Sequence, residues 1–227
     1  VEVLESGLVL PTAVTLQLPA SNLLEIESVE GMLVNLNAGE TPLVVNNNYT
    51  LGRYGNFTVA SERLVQFTQE NNASISGYSA HQENLLLKSI VVDDGSAYQN
   101  PYTIKYPGDG LTYDNTLRAG YTISEIVGVM DERYGSYVIQ PQADTVLTFD
   151  AENNPRGGVE AKGKKDLRVS SFNVLNYFNT FENCTYGVDG APAGCRGAES
   201  AEEFERQKVK IVNAMVEMNA DIIGLME

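Results

Sequence analysis

The chain of 227 residues carries 15 basic and 30 acidic side chains, which gives a formal net charge of −15 at pH 7. Hydrophobic residues make up 43% and charged residues 20%, a balance that excludes a disordered or fibrous protein and allows a packed core. No apolar run reaches the ~18 residues that a membrane-spanning helix needs. A surface this acidic repels nucleic acid at long range, so any binding of nucleic acid must rest on local features.

Residues 1–150 predict an all-β domain, either a barrel or a sandwich. Short runs rich in β-branched and aromatic residues alternate with turn sequences such as Asp93-Asp94-Gly95. No long pattern with the helical period of 3.6 residues occurs among them. The predicted strands are Val14–Leu18, Ser28–Leu36, Leu43–Val45, Gly55–Ala60, Leu85–Val92, Ile123–Asp131, Tyr137–Ile139 and Val146–Phe149.

Residues 151–166 predict a linker, because they are polar, rich in glycine and locally basic. Residues 167–227 then predict a strand, a loop, a helix and a second strand. The strands are Leu167–Val174 and Ile222–Met226, and Ser200 with Glu203 indicates a capping box at the start of the helix. Strands connected in this way lie parallel with a right-handed crossover. The helix is expected to bury one apolar stripe, formed by Phe204, Ile211, Val212, Met215 and Met218.

The two ends of the chain predict a fragment of a longer protein. The chain begins at Val1 without a signal-like segment, and it stops at Glu227 directly after an apolar run. A last strand that no later segment covers can pair with another chain, so we expect that this protein can self-associate through exposed strands.

The two cysteines, Cys184 and Cys195, lie in a stretch rich in glycine and proline. Without nearby histidines or further cysteines they cannot form a four-ligand zinc site. We therefore predict a disulfide that closes a long loop, which implies an oxidising compartment; two free thiols are the alternative.

A short pattern that begins Arg-Tyr-Gly occurs twice, over residues 53–59 and 133–139. Alternate residues of a strand face opposite sides, so Phe57 and Val59, like Tyr137 and Ile139, should face the core. An aromatic side chain beside an arginine on a barrel face is how oligonucleotide-binding (OB) folds stack bases. The candidate nucleic-acid-binding residues are therefore Arg53, Tyr54, Arg133 and Tyr134; ordinary strand aromatics with solvated arginines are the alternative.

Two polar residues stand at the carboxyl ends of the predicted parallel strands, Asn173 and Glu227. Open α/β sheets bind their ligands at this edge. A carboxylate with a neutral amide oxygen suits a hard divalent cation such as Mg²⁺, Mn²⁺ or Ca²⁺. A solvated glutamate and a capping asparagine are the alternative.

Three stretches of residues 167–227 closely resemble one family. They contain Ser-Phe-Asn at 171–173, Arg-Gly at 196–197 with Glu-Phe-Glu-Arg-Gln at 203–207, and Gly-Leu-Met-Glu at 224–227. The family is the secreted bacterial nucleases of the endonuclease/exonuclease/phosphatase superfamily, of the ExeM type and related to pancreatic deoxyribonuclease. Residues 30–34, 51–55, 115–120 and 135–141 are similar to the OB-fold-like domain that precedes the nuclease domain in those proteins.

The resemblance implies a mainly β chain: an OB-fold-like barrel over 1–150, then the first β-α-β unit of a truncated α/β-sandwich, deoxyribonuclease-I-like, over 167–227. It implies a secreted or cell-surface bacterial nuclease that hydrolyses phosphodiester bonds of extracellular DNA, or of RNA. Glu227 would bind the metal, Mg²⁺ first and Ca²⁺ or Mn²⁺ otherwise, and Asn173 would bind it or orient the scissile phosphate.

The catalytic histidines of the family lie beyond Glu227, so the fragment alone is expected to be inactive. The single histidine, His81, is expected in a surface loop. Two alternatives remain open. The parent could be a phosphatase or phospholipid phosphodiesterase of the same superfamily. The β-domain could be a non-catalytic protein- or surface-binding module, which its charge of 6 − 18 = −12 over residues 1–150 favours.

Overall fold

The structure, a computed structural model, describes residues 9–154, 161, 163 and 166–227. It divides into two compact units, Val1–Pro155 (unit 1) and Arg156–Glu227 (unit 2). Much of the predicted linker 151–166, namely residues 155–160, 162, 164 and 165, lies outside the described residues. The chain is mainly β, as predicted, and no helix of the described part is long and apolar enough to cross a membrane.

Unit 1 contains one mixed sheet of eight strands in the order β1-β2-β7-β8-β5-β4-β3-β6. The pairs β1–β2 and β5–β8 are parallel, and the other neighbours are antiparallel. The elements of unit 1 are β1 (Val14–Gln17), α1 (Leu23–Glu27), β2 (Leu33–Asn37), β3 (Leu43–Asn47), α2 (Leu51–Tyr54), β4 (Phe57–Ala60), α3 (Phe67–Glu70), α4 (Ile75–Lys88), β5 (Ser89–Val92), β6 (Thr122–Ile123), β7 (Glu125–Arg133) and β8 (Ser136–Pro141).

This sheet curls into a half-barrel, and the connection between β2 and β3 requires the curl. The two strands are consecutive in the chain but stand second and seventh in the strand order. In a flat sheet they would be about 24 Å apart, at ~4.8 Å per strand. The link from Asn37 to Leu43 reaches at most about 21 Å when extended, and a β-bridge between Ala38 and Thr41 shortens it. The sheet must therefore bend towards itself.

The concave face of the sheet holds the core of unit 1. Phe57, Val59 and Ile139 are buried there, as the alternation of their strands predicts. Tyr137 packs partly buried against the same core. The ring of Phe57 meets those of Tyr106 and Phe149 edge to face, with centroids 5.4 and 5.6 Å apart. Aromatic pairs of this kind stabilise a core beyond the area that they bury.

Unit 1 is not all-β, because it contains the 14-residue helix α4. Ser74 caps this helix by accepting the backbone N–H of Gly77 at 3.2 Å, and no residue of the helix is buried. A helix without a buried stripe lacks the 3.6-residue pattern, which is why the prediction was wrong. Residues 85–88, expected in a strand, form the last helical turn. His81 lies on α4, not in a loop, with Nε2 at 3.1 Å from the carbonyl oxygen of Val65.

A predicted strand boundary and a predicted strand are also wrong. Residues 28–32 form turns after α1, and β2 begins only at Leu33. Residues 146–149 form no strand; only the next residue, Asp150, makes a single antiparallel bridge with Thr122. Local composition predicts extended backbone at such places, but pairing depends on distant neighbours.

Unit 2 is a β-hairpin-α-β arrangement. Its elements are β9 (Val169–Asn173), β10 (Thr185–Tyr186), β11 (Ala191–Pro192), α5 (Ala201–Met218) and β12 (Ile222–Met226). β9 and β12 pair in parallel, as the pattern predicts. The predicted disulfide is confirmed: Cys184 and Cys195 are bonded, and they flank the β10–β11 hairpin.

Helix α5 begins with part of the predicted capping box. The hydroxyl of Ser200 accepts the backbone N–H of Glu203 at 3.2 Å, but the carboxylate of Glu203 accepts the N–H of Glu199, at 2.9 Å. Ile211 is buried, whereas Val212, predicted in the same stripe, is exposed. Val212 follows Ile211 by one position, about 100° around the helix, and so turns away from the buried face.

Candidate metal edge and nucleic-acid loops

The carboxyl edge of the unit 2 sheet brings together Asn173 and Glu227. Asn173 ends β9 and is paired with Met226, the last residue of β12, so Glu227 directly follows the end of the neighbouring strand. The pairing extends one bond further, since the N–H of Val174 donates to the carbonyl of Met226 at 3.0 Å. The side chains of Asn173 and Glu227 are both exposed. Their placement is the one expected for ligands at the edge of a parallel sheet.

The oxygens at this edge suit a hard cation but form only part of a ligand set. Asn173 Oδ1 accepts the N–H of Leu175 at 2.8 Å, and an amide oxygen has a second lone pair. In the described part of the chain, no three His, Cys, Asp or Glu side chains are grouped so that they could hold a metal ion. Mg²⁺ is commonly held by one or two carboxylates, with water and substrate phosphate completing its shell. One carboxylate with one amide oxygen fits that mode.

A cleft of about 320 Å³ lies next to this edge. It begins at Leu175, two residues after Asn173, and Arg196 is the one cationic residue among its described lining residues. Sequence reasoning noted the Arg-Gly pair only as a mark of family resemblance. The lining residues are Leu175, Asn176, Arg196, Gly197, Ala198, Glu203 and Gln207.

The first Arg-Tyr-Gly sequence lies in the loop between β3 and β4, not on a strand. Arg53 and Tyr54 end the short helix α2, and the Arg53 guanidinium carbon is 5.1 Å from the centre of the Tyr54 ring. Arg53 joins this loop to the one after β5: its Nη2 donates to Gln99 Oε1 at 3.3 Å, and its carbonyl accepts the N–H of Asn100 at 2.8 Å. The cation and the aromatic ring are thus held together at one surface.

The second Arg-Tyr-Gly sequence forms the tight turn between β7 and β8. Tyr134 and Gly135 occupy its two central positions with φ of +55° and +75°, and the Tyr134 ring is fully exposed. Arg133 Nε donates to Asp131 Oδ2 at 2.6 Å, so its charge is locally balanced. Because β8 runs parallel to β5, this turn lies near the beginning of β5. Because β4 runs antiparallel to β5, the first Arg-Tyr-Gly sequence, which precedes β4, lies near the end of β5. The structure does not bring the two together at one end of the sheet.

Three exposed tyrosines near Arg53 escaped sequence reasoning. Tyr49 is 91% exposed, Tyr98 is 80% exposed, and Tyr102 is fully exposed. Residues 46–56 and 95–104 contain a single charged side chain, that of Arg53, in a protein with net charge −15. The spacing of tyrosines in loops carries no periodicity, and only the absence of acidic residues from both loops could have indicated this surface.

Two carboxylates lie at the base of these loops. The Asp94 carboxyl group contacts Gly55, and partial burial raises its pKa, with the neighbouring Asp93 contributing and the N–H of Ser96 opposing the shift. The Tyr106 hydroxyl is buried without a hydrogen-bond partner in the described part of the chain. Burial, followed by the charges of Asp94 and Asp93, raises the pKa of Tyr106 far above its usual value.

The sequence of unit 1 matches one family profile. Residues 25–153 match the profile described as "Domain of unknown function (DUF8508)", and the match covers more than half of the chain. No curated protein and no solved structure matches the chain. The chain belongs to the DUF8508 family.

Proposed function

We propose that this member of the DUF8508 family takes part in the divalent-metal-dependent hydrolysis of phosphodiester bonds in extracellular DNA or RNA. In this proposal unit 2 supplies Asn173 and Glu227 to the metal site, and unit 1 is an OB-like module that binds single-stranded nucleic acid. The observation that carries the proposal is the parallel register of β9 and β12, which puts Asn173 opposite Met226 and next to Glu227.

The chemistry at the metal edge follows from its two side chains. A bound divalent cation would polarise a phosphoryl oxygen and stabilise the charge that develops there. Glu227 would hold the cation with its carboxylate. Asn173, whose amide is fixed by the hydrogen bond to Leu175, would bind the cation or orient the scissile phosphate. Arg-Gly at 196–197 with Glu-Phe-Glu-Arg-Gln at 203–207, which resembles the secreted nuclease branch of the superfamily, supports this reading over a phosphatase.

The connectivity of unit 1 supports the OB-like part of the proposal. If β2 and β3 are taken as the two halves of one bent strand, the order becomes that strand, β4, β5, β8, β7 and back to the first strand. This is the order of the five-stranded Greek-key OB barrel. Such barrels bind oligonucleotides on strands two and three, between the loops that join strands one to two and four to five. The two Arg-Tyr-Gly sequences occupy those two loops.

The net charge of unit 1 bears on what its loops can bind. Stacking of bases on aromatic rings needs little charge, because every base has a π-face. The loops of Tyr49, Arg53 and Tyr98, residues 46–56 and 95–104, contain no acidic residue. A protein- or surface-binding module remains the second candidate, since the charge of 6 − 18 = −12 over residues 1–150 favours it.

The metal site is tested by nuclease assays on the protein as its source produces it. Glu227→Gln should reduce Mg²⁺-dependent cleavage of plasmid and single-stranded DNA by about 100-fold or more, since even indirect perturbation of a metal ligand costs 10- to 100-fold. Glu217→Gln, an exposed acidic residue on α5, is the matched control and should retain activity. Normal activity in Glu227→Gln, or activity insensitive to a chelator, would refute the metal assignment. Hydrolysis of phosphate monoesters or phospholipids without cleavage of nucleic acid would refute the nuclease.

The OB-like surface is tested separately by binding. The chain contains no tryptophan, so its fluorescence comes from tyrosine and should be quenched when bases stack on exposed rings. Oligothymidylate should quench the wild-type protein at low salt, where electrostatic attraction is least screened. The double variant Tyr54→Ala/Tyr134→Ala should bind at least 10-fold more weakly, at about 1–3 kcal/mol per stacked base. No binding by the wild-type protein would favour the protein- or surface-binding module.

A further inference from the structure

We propose that Arg196 binds a phosphate of the nucleic-acid substrate in the cleft beside the metal edge. The inference rests on the proposed function, because it names the residue that would hold a backbone phosphate next to the one being cleaved. It adds a binding residue that the family resemblance does not assign.

The first observation is the position of the cleft. Its wall begins at Leu175, whose N–H is bound by Asn173 Oδ1 at 2.8 Å. Asn173 is paired with Met226, the residue before Glu227. A group in the cleft is therefore near the residues proposed to hold the metal. A single strand of nucleic acid at the metal edge has further phosphates on either side of the scissile one, and the cleft can receive one of them.

The second observation is the state of Arg196. It is exposed and lines the cleft. Among the described residues, none forms a hydrogen bond or an ion pair with its guanidinium group. The planar fork of an arginine matches two phosphate oxygens. Its side chain is thus available for an anion from outside the chain.

The third observation is that the cleft is built rigidly. Leu175 and Asn176 are two consecutive residues with φ of +49°, a backbone conformation that residues other than glycine rarely adopt. A Cβ on Gly197 would lie 2.9 Å from the carbonyl oxygen of Asn176, so only glycine allows this approach. Strained backbone that the surrounding structure maintains is typical of functional sites.

Helix α5 fixes the same loop from the other side. Gln207 Nε2 donates to the carbonyl of Leu175 at 2.8 Å. The ring of Tyr177 stacks on that of Phe204, with centroids 4.9 Å apart and planes 13° apart. The cleft is thus defined before any ligand arrives, which lowers the cost of binding.

One acidic residue lines the cleft and has to be accounted for. Glu203 Oε2 accepts the N–H of Glu199 at 2.9 Å, and Glu203 Oε1 lies 3.6 Å from Arg206 Nη2. Its charge is thus partly satisfied by groups other than Arg196. Within the part of the chain that the structure describes, the cleft presents one cation without a partner and one engaged carboxylate, and an incoming phosphate can pair with the cation.

The experiment compares Arg196→Gln and Arg196→Lys with Lys208→Gln. Lys208 lies on α5 with Nζ 3.0 Å from Glu205, and its substitution removes the same charge away from the cleft. Fluorescein-labelled oligothymidylate is titrated with each protein in chelator over a series of salt concentrations. Arg196→Gln should weaken binding about 10-fold and reduce the salt slope by about 0.7, the value for one phosphate contact on a single strand. Arg196→Lys should keep the slope, and Lys208→Gln should match the wild type.

The outcomes separate this inference from the proposed function. Nuclease activity that depends on Glu227, together with an unchanged salt slope and KM in Arg196→Gln, overturns the role of Arg196 and leaves the nuclease standing. A reduced slope in Arg196→Gln without any nuclease activity in the wild type supports the phosphate contact and overturns the proposed function. An equal reduction of the slope in Lys208→Gln would show a general charge effect and overturn the specific contact. Thermal melting of Arg196→Lys checks that the cleft remains folded.

Discussion

Replacing Tyr134 by asparagine should stabilise unit 1 while weakening the binding of nucleic acid that we propose for it. Tyr134 has φ of +55° in the turn between β7 and β8, and its ring is fully exposed. The left-handed conformation costs an ordinary L-residue about 1–2 kcal/mol, whereas asparagine followed by glycine is preferred in a two-residue turn of this kind. Since the ring buries no area, its loss costs nothing in the core. The free energy of unfolding should therefore rise by about 1 kcal/mol, or about 3 °C in Tm for a unit of this size.

Urea unfolding followed by far-ultraviolet circular dichroism measures this change. Tyr102→Asn is the matched control, because Tyr102 is equally exposed and is not among the residues with positive φ. It should leave the stability unchanged. If Tyr134→Asn is no more stable than the wild type, or if Tyr102→Asn gains as much, the turn stores no strain and the reasoning is wrong. A variant that is more stable but binds oligothymidylate less tightly would show that the tyrosine is kept for contact with a ligand.

Four further substitutions test the packing, the disulfide and the electrostatics of the fold. Gly128→Ala should destabilise unit 1 by more than about 2 kcal/mol in urea unfolding, because the new Cβ would lie 2.5 Å from a backbone oxygen of β8; a loss below about 0.5 kcal/mol would mean that the sheet can shift there. Cys184→Ser and Cys195→Ser remove the same disulfide, so each should lower the free energy of unfolding of unit 2 by about 3 kcal/mol through loop entropy. Equal thermal stability of the oxidised and reduced wild-type protein would contradict this. The hydrogen bond to Glu27 raises the pKa of Tyr137 to about 12. Its stabilising effect should be complete below pH ~10 and lost as the pH rises towards 12, a decline that Tyr137→Phe should lack in unfolding curves across that range.

The sequence predicted unit 2 better than unit 1, because the determinants of unit 2 are local. A serine cap, a helical stripe and two apolar strands specify β9, α5 and β12, and the crossover rule then sets β9 and β12 parallel. The position of Asn173 beside Glu227 follows from those elements alone. Val212 was predicted on the wrong face because the apolar stripe of α5 is wider than the face that is buried.

In unit 1 the strands could be located but their order could not. The pairing of β2 with β7, or of β5 with β8, joins segments far apart in the sequence, and such pairing is set by packing across the whole sheet. Helix α4 was missed because none of its residues is buried and Ser74 was its one local indication. The exposure of Tyr98 is likewise a property of the folded chain, which no pattern of residue types predicts. The same holds for the guanidinium group of Arg196, which has no partner among the described residues.

The wide separation of β9 and β12 along the chain imposes an order on biosynthesis. All eight strands of unit 1 precede residue 142, so its sheet can be complete while unit 2 is still being translated. Among the described residues β9 pairs with β12 alone, so it has no strand partner there until residues 222–226 emerge. In an oxidising compartment the bond between Cys184 and Cys195 can therefore close, and α5 can form, before the parallel pair exists. The pairing of β9 with β12 can therefore follow the completion of the unit 1 sheet, and translation that stops before residue 222 gives a chain that contains Arg53 and Tyr54 but neither β12 nor Glu227.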